Sequence, residues 1–265
     1  MNRFRERSAA FLTASKQRLS EFPTVRSAAL WGLSQGRHPE RLRNHITCIM
    51  YHGVPADART SLARQLRYLR CLGDFISTEQ AIELLERGDK IDGRHFCITF
   101  DDGEYSSFRN GFSLIWENDI PGTFFIIPGR IAASPGADEP ERTYMSWDEC
   151  RLIAKNGGTI GSHSFSHRRL STLTQDETAD EMITSRLTLE RELDLVCNQF
   201  ACPWGQPGRD YLAERDPALA AAAGYRSFFT TISGSAAAGT SQWAIPRIRL
   251  EPEWELHQLR YLLCR

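Results

Sequence analysis

From residue 46 onward, short apolar runs alternate with segments whose apolar residues recur at helical spacing. ITCIMY (46–51) reads as a strand, and the following TSLARQLRYLRCLG places Leu62, Leu66 and Leu69 on one helical face. HFCITF (95–100) and GTFFIIP (122–128) are further strands, with a helical stretch between them that turns Phe108, Phe112 and Ile115 inward. Shorter strands are expected at TIGS (159–162), QFAC (199–202) and SFFTTI (227–232), before IPRIRL (245–250) and a final helix. Three capping boxes mark helix starts: STEQ (77–80), SWDE (146–149) and TQDE (174–177). The last opens the longest helix, with Ile183, Leu187 and Leu193 expected on its buried face.

Regular strand-then-helix order implies parallel strands joined by crossover helices. There are about seven strands and no GxGxxG or Walker loop, which favours a closed or nearly closed α/β barrel over a nucleotide-binding open sheet. Chemistry should then gather on the C-terminal face of the strands. Polar residues do follow strands: Tyr51-His52-Gly53, Asp101-Asp102-Gly103, SHSFSH with His163 and His167, and Pro203-Trp204-Gly205.

Adjacent aspartates at the end of a hydrophobic strand repel each other and resist burial, so a solvated turn or a bound cation must compensate them. His163 and His167 are four residues apart. In a helical turn that spacing sets their Cβ atoms roughly 6 Å apart on one side. With one carboxylate they form a two-histidine, one-carboxylate set that leaves positions open for water and substrate. The FDDG turn at a neighbouring strand end favours the cation.

ITFDDG, GSHSFSH and FACPWGQPG together resemble the polysaccharide deacetylases, the NodB-homology group or carbohydrate esterase family 4. YHGV, TFFIIPG and SWDE look like the branch acting on poly-N-acetylglucosamine, and the resemblance covers about residues 46–250. It implies a distorted (β/α) barrel with about seven strands and one divalent metal ion, most often Zn2+, with Co2+, Ni2+, Mn2+ and Fe2+ as alternatives. Motif positions then make Asp102, His163 and His167 the ligands and Asp101 the general base. His52 is the expected proton donor to the departing amine, and Trp204, with Pro203 and Gly205, the pocket wall. Many members carry an arginine in the third motif, where this chain has Ala201-Cys202-Pro203-Trp204-Gly205. Arg247 is the expected replacement, orienting Asp101 across the barrel mouth, with Arg249 as the fallback. His257, in a helical pattern with no strand before it, is expected to be structural or surface, and Trp147 and Trp243 to pack.

Composition adds bounds. The 265 residues are 41% hydrophobic and 25% charged, as in a soluble globular protein. Seven scattered cysteines without a CxxC pair read as free thiols in a reducing compartment. The net charge of −1 hides an asymmetry: residues 1–44 hold nine Arg/Lys against three acids, and residues 45–265, the expected catalytic domain, carry the compensating negative charge. No apolar run there is long enough for a signal-peptide core, and none elsewhere approaches a membrane span of roughly 20 residues. The expectation is a cytoplasmic protein without nucleic-acid partners, its oligomeric state left open.

These features point to a hydrolase that removes an N-acetyl group from an amino sugar. A lipid-linked or nucleotide-linked intermediate suits a cytoplasmic enzyme better than a finished polymer. Deformylase, ureide hydrolase and O-acetyl esterase activities on the same fold are alternatives, as is a non-catalytic carbohydrate-binding barrel, against which the Asp101-Asp102 pair argues. A non-haem iron oxygenase would be expected on an all-β scaffold, and the strand-helix alternation here is not one.

In residues 1–44, Phe4, Phe11, Leu12, Leu19 and Phe22 share one side of a helical wheel flanked by Arg3, Arg5, Arg7, Lys16 and Arg18. That pattern fits peripheral contact with the anionic inner face of a membrane, or packing on the barrel or a second subunit. The membrane reading predicts that the full chain co-sediments with anionic vesicles and is released by high salt, since each basic residue near such a surface contributes about 1 kcal/mol. A full chain that ignores vesicles while the protein lacking the arm aggregates would assign the arm to packing.

Overall fold

The computed structural model describes residues 30–34, 36–39, 42–131 and 142–264. Most of the amphipathic arm lies outside the described residues. Eight strands form one sheet: β1 (His45–Tyr51), β2 (Asp74–Phe75), β3 (Arg94–Phe100), β4 (Gly122–Ile126), β5 (Thr159–Ser162), β6 (Gln199–Ala201), β7 (Ser227–Phe229) and β8 (Arg247–Arg249). Seven run in the order β7-β6-β5-β4-β3-β1-β8, and the short β2 pairs beside the start of β3. Every pairing between these strands is parallel. The two ends of the order meet through a Phe229–Ile245 bridge and through the Arg247 N–H, which donates to the Ile232 carbonyl at 3.0 Å. The result is a nearly closed, distorted (β/α) barrel of seven parallel strands, as the alternation of elements predicts.

The helices are α1 (Arg59–Leu72), α2 (Thr78–Arg87), α3 (Ser113–Trp116, continuing a π-helical turn over Ser107–Phe112), α4 (Trp147–Lys155), α5 (Gln175–Leu193), α6 (Asp216–Ala222) and α7 (Leu256–Leu262). All three capping boxes form, at Ser77/Gln80, Ser146/Glu149 and Thr174/Glu177, each satisfying backbone donors that a helix start leaves orphaned.

Alternation along the strands sorts side chains between two cores. Outward-facing Ile49, Tyr51, Phe96, Ile98, Phe100 and Phe124 pack under the helices. Tyr51, Phe100 and Phe124 stack in sequence with centroid spacings of 5.7 and 4.8 Å. Inward-facing Cys48, Cys97, Phe125, Ala201 and Phe229 fill the barrel. Five of the seven cysteines are buried, and all are free thiols.

Helix α2 closes the N-terminal end of the barrel. Thr78 Oγ1 lies 2.7 Å from Thr123 Oγ1, and Glu79 accepts from Thr159 Oγ1 and Gln199 Nε2. The first turn of α2 thereby ties together the N-terminal ends of β4, β5 and β6.

Helix α5 corrects one expectation. Ile183 and Leu187 are 41% and 58% exposed, whereas Thr178, Met182, Ser185, Leu189 and Leu193 are buried. The buried hydroxyls are paired: Ser185 Oγ meets Ser162 Oγ at 2.7 Å, and Thr178 Oγ1 donates to the Thr174 carbonyl. Satisfied polar groups can occupy an interface that hydrophobicity alone would assign to isoleucine and leucine.

Gly161 on β5 has no room for a side chain: a Cβ there would come 2.5 Å from the Phe125 ring. Gly161→Ala should therefore cost about 1–3 kcal/mol through overpacking, read as a lower urea midpoint with unchanged slope.

Candidate active site and metal centre

Strand β3 ends at Phe100, and Asp101 continues its inward alternation with its N–H donating to the Tyr51 carbonyl at 2.9 Å. Asp101 is 1% exposed, and a carboxylate so buried needs a compensating charge. Arg247 supplies it. The guanidinium donates Nη1 to Oδ1 and Nη2 to Oδ2, both at 2.7 Å, while Nε donates to the Thr230 carbonyl at 3.0 Å. Burial pushes the Asp101 carboxyl upward, but Arg247, His163 and His52 outweigh it and hold the pKa at about 2. Arg249 is exposed and donates instead to Glu251 at 2.8 Å.

Asp102 leaves the strand with φ 69°, and Gly103 follows with φ 73°. Two consecutive left-handed residues reverse the chain, so neighbouring carboxylates face the same space from different directions. Asp102 Oδ1 stands 3.5 Å from His163 Nε2 and 3.3 Å from His167 Nε2. One ligand atom from each residue lies within 4.8 Å of the others.

His163 follows β5, and its Nδ1 lies 2.8 Å from the Ala201 carbonyl. A carbonyl only accepts, so Nδ1 carries a proton and Nε2 is the ring nitrogen turned towards Asp102. His167 does not sit in a helical turn, contrary to the spacing-based expectation. The Ser164–His167 loop is irregular, with φ 58° at Ser164 and 64° at His167, and the two imidazole centroids lie 5.0 Å apart. Glu181 on α5 holds this loop by accepting from the Ser166 N–H at 2.9 Å and from its hydroxyl. The Ser164 hydroxyl accepts from the His167 N–H at 3.0 Å. Burial, then the neighbouring His163, lower the His167 pKa to about 4, so its ring is neutral at working pH.

The donor set fits a cation. Asp102 Oδ1 is buried and has no hydrogen-bond partner, although it faces two imidazole nitrogens. An anionic oxygen opposite a lone pair is repulsive unless positive charge lies between them. Two imidazoles and one carboxylate suit a borderline divalent ion such as zinc.

Trp204 and Gly205 form a second pair of left-handed residues, with φ 63° and 70°. A Cβ on Gly205 would come 2.7 Å from the Thr231 N, so the tight approach requires glycine there. Pro203 is buried behind the turn, and Trp204 is 53% exposed with its ring centroid 5.3 Å from that of His167. His52 follows β1, is half-buried, and has a buried Nδ1 without a hydrogen-bond partner. His257 sits on α7, lining a hollow with Trp31 and Tyr68. Trp147 and Trp243 pack against the outer core.

Sequence reasoning missed Glu104 and Glu181. Glu104 accepts from the Gly53 N–H, and a Cβ on Gly53 would come 2.1 Å from its Oε2. Burial and then Asp102 raise the Glu104 pKa, with His52 opposing. Its position directly after the FDDG turn was the available signal. Glu181 carries none, because an acid inside a helix says nothing of the loop it will meet.

The polysaccharide deacetylase family model matches residues 88–227, more than half of the chain. The chain belongs to the polysaccharide deacetylase family. Among curated proteins, this deacetylase-family chain is 21% identical over 210 residues to the putative polysaccharide deacetylase YxkH of Bacillus subtilis, covering 77% of this chain and 71% of that one. Among solved structures, IcaB from Ammonifex degensii superposes with a TM-score of 0.70 at 22% identity, over 84% of this chain and 98% of IcaB. The Streptococcus pyogenes deacetylase PplD, in complex with acetate, gives 0.69 at 19% identity, over 84% and 99%. These structural likenesses carry the fold, and membership of the family supports hydrolytic carbohydrate deacetylation.

The ion pair generates a prediction. A carboxyl with a depressed folded pKa contributes stability above its unfolded value near 3.9, and that contribution fades as pH falls towards about 2. Arg247→Met should cost about 3–5 kcal/mol at neutral pH by leaving a buried carboxylate unpaired. The difference from wild type should shrink below pH 4 as Asp101 protonates. Urea unfolding at a series of pH values checks both the size and the direction.

Proposed function

We propose that this chain removes the N-acetyl group from an amino sugar by hydrolysis that depends on a divalent cation held by Asp102, His163 and His167. The reading rests on Asp102 Oδ1, buried without a hydrogen-bond partner, facing both imidazoles beside the Arg247-held Asp101. A divalent ion, when bound there, acts as a Lewis acid that polarises the acyl oxygen and makes water a nucleophile near neutral pH. The remaining work falls to this chain's own groups.

Asp101 is the general base. Arg247 keeps it ionised at any working pH and fixes both oxygens, so it can take a proton from the attacking water without reorienting. Its low basicity means that it holds an accepted proton only briefly. His52 is the donor to the departing amine, placed where its charge acts on both Asp101 and Glu104. Water adds to the acyl carbon, the C–N bond breaks, the amine gains a proton, and acetate leaves. Trp204 offers an exposed ring beside His167 as a wall for the sugar.

The test is acetate release from N-acetylated amino sugars by zinc-loaded protein. Asp101→Asn should retain the metal and lose turnover by about 10²–10⁴. His167→Ala should lose the metal itself, measured by metal content after dialysis. Near-normal hydrolysis by the first variant, or full occupancy and activity in the second, would overturn these assignments.

A further inference from the structure

Three guanidinium groups stand on the rim beside Trp204 and His167, and the deacetylation chemistry above uses none of them. Arg130 ends the turn after β4, and the adjacent Gly129 N–H donates to the Phe165 carbonyl at 2.9 Å, joining this turn to the histidine loop. Its side chain is exposed, donates Nη1 to the Tyr144 hydroxyl at 2.8 Å, and pairs with no carboxylate among the described residues. Arg169 lies with its guanidinium carbon 5.5 Å from the Trp204 ring centroid, and its Nε is 3.0 Å from Asp210 Oδ1. Arg209 reaches the same Asp210 at 2.9 Å, and that carboxylate also accepts from the Gln206 N–H.

Among the described residues, charge on this side is unbalanced: one carboxylate, Asp210, pairs with Arg169 and Arg209, and none pairs with Arg130. Elsewhere at the mouth Asp101 is neutralised by Arg247, Asp102 faces the two histidines, Glu104 accepts from the Gly53 N–H and Glu181 from Ser166. Nearby Arg168 is paired with Glu177 at 3.3 Å. An excess of guanidinium beside a concave site draws anions and pairs well with phosphate oxygens. In a 2-acetamido sugar the acyl nitrogen and the anomeric oxygen sit on neighbouring carbons, so an anomeric phosphate lies only a few bonds from the group being removed. A sugar held against Trp204 would bring such a phosphate close to Arg169, whose guanidinium carbon lies 5.5 Å from that ring's centroid.

We infer that the substrate is an amino sugar bearing a phosphate or diphosphate ester, with Arg130 and Arg169 binding the phosphoryl oxygens. This deepens the deacetylase reading and rests on it. A finished neutral glycan offers these arginines no partner, and a partly deacetylated, cationic one would be repelled. Nucleotide-linked and polyprenyl-linked sugars present the same diphosphate.

Two measurements test it on the full chain. The first is calorimetric binding of uridine-diphosphate N-acetylglucosamine and of neutral N-acetylglucosamine tetramer to metal-free protein, at low and high salt. The second is acetate release from both by the zinc-loaded protein, with a short-chain polyprenyl-diphosphate N-acetylglucosamine as a further arm. The diphosphate sugar should bind about tenfold or more tighter than the tetramer, and salt should erode that preference. Arg130→Gln and Arg169→Gln should each remove about tenfold of it, with Arg130→Lys retaining part. Deacetylation of either diphosphate compound in preference to the tetramer supports the inference, and the arm that reacts identifies its source. Deacetylation of the tetramer with no arginine-dependent binding of the nucleotide sugar overturns it and leaves the deacetylase reading standing. Arginine-dependent binding with no acetate released from any compound does the reverse, sinking the deacetylase reading while keeping the anion site.

Discussion

The architecture of the mouth depends on one buried ion pair. Arg247 and Asp101 are each about 1% exposed, and neither charge could stay there without the other. The pair spans the sheet from β8, beside β1, to the end of β3. Two further donors of Arg247 are occupied: Nε by the Thr230 carbonyl, and Nη1 also by Thr99 Oγ1 at 3.3 Å. Below it the guanidinium lies over Phe125, 5.4 Å from the ring centroid. Buried pairs of this kind are often no more stabilising than hydrophobic replacements. Here the fork fixes both oxygens of a carboxylate next to the Asp102, His163 and His167 cluster, so the gain lies in orientation rather than stability.

Much of this was legible in the sequence because it is local. Strand alternation, capping boxes and polar residues after strands depend on a few neighbouring positions, and β1, β3, β4 and β5 fall where the pattern puts them. The arginine on Asp101 was legible only through what was missing: Ala201 stands where an arginine was expected, and a buried carboxylate still needed a cation. What stayed hidden depends on distant contacts. Ile183 and Leu187 face outward because Ser185 and Thr178 find hydroxyl and carbonyl partners that no periodicity records. The histidine spacing suggested a helical turn, whereas the Ala201 carbonyl, Ser164 and Glu181 set the actual geometry.

Backbone strain is concentrated at the same place. Of seven non-glycine residues with positive φ among the described residues, Asp102, Ser164, His167 and Trp204 belong to the site loops. Asn44, Asp119 and Asp194 are the residue types that tolerate this conformation in ordinary turns. Such conformations cost of order 1–3 kcal/mol each when unsupported and persist where surrounding contacts determine them. The supports are visible: the Thr231 hydroxyl donates to the Trp204 carbonyl at 2.5 Å, and its N–H to the Gly205 carbonyl at 3.0 Å. Local preference and global fold disagree where side chains must converge, and the fold prevails.

Helix α2 seals the far end of the barrel with Thr78 and Glu79, and Phe125 and Phe229 fill the interior above it. The working chamber is therefore a cul-de-sac. In the deacetylation proposed above, acetate would have no rear exit and would depart through the doorway that admits the sugar. Traffic in the two directions shares one vestibule, and the deacylated sugar, while it lingers there, obstructs both the small product behind it and the next molecule in line.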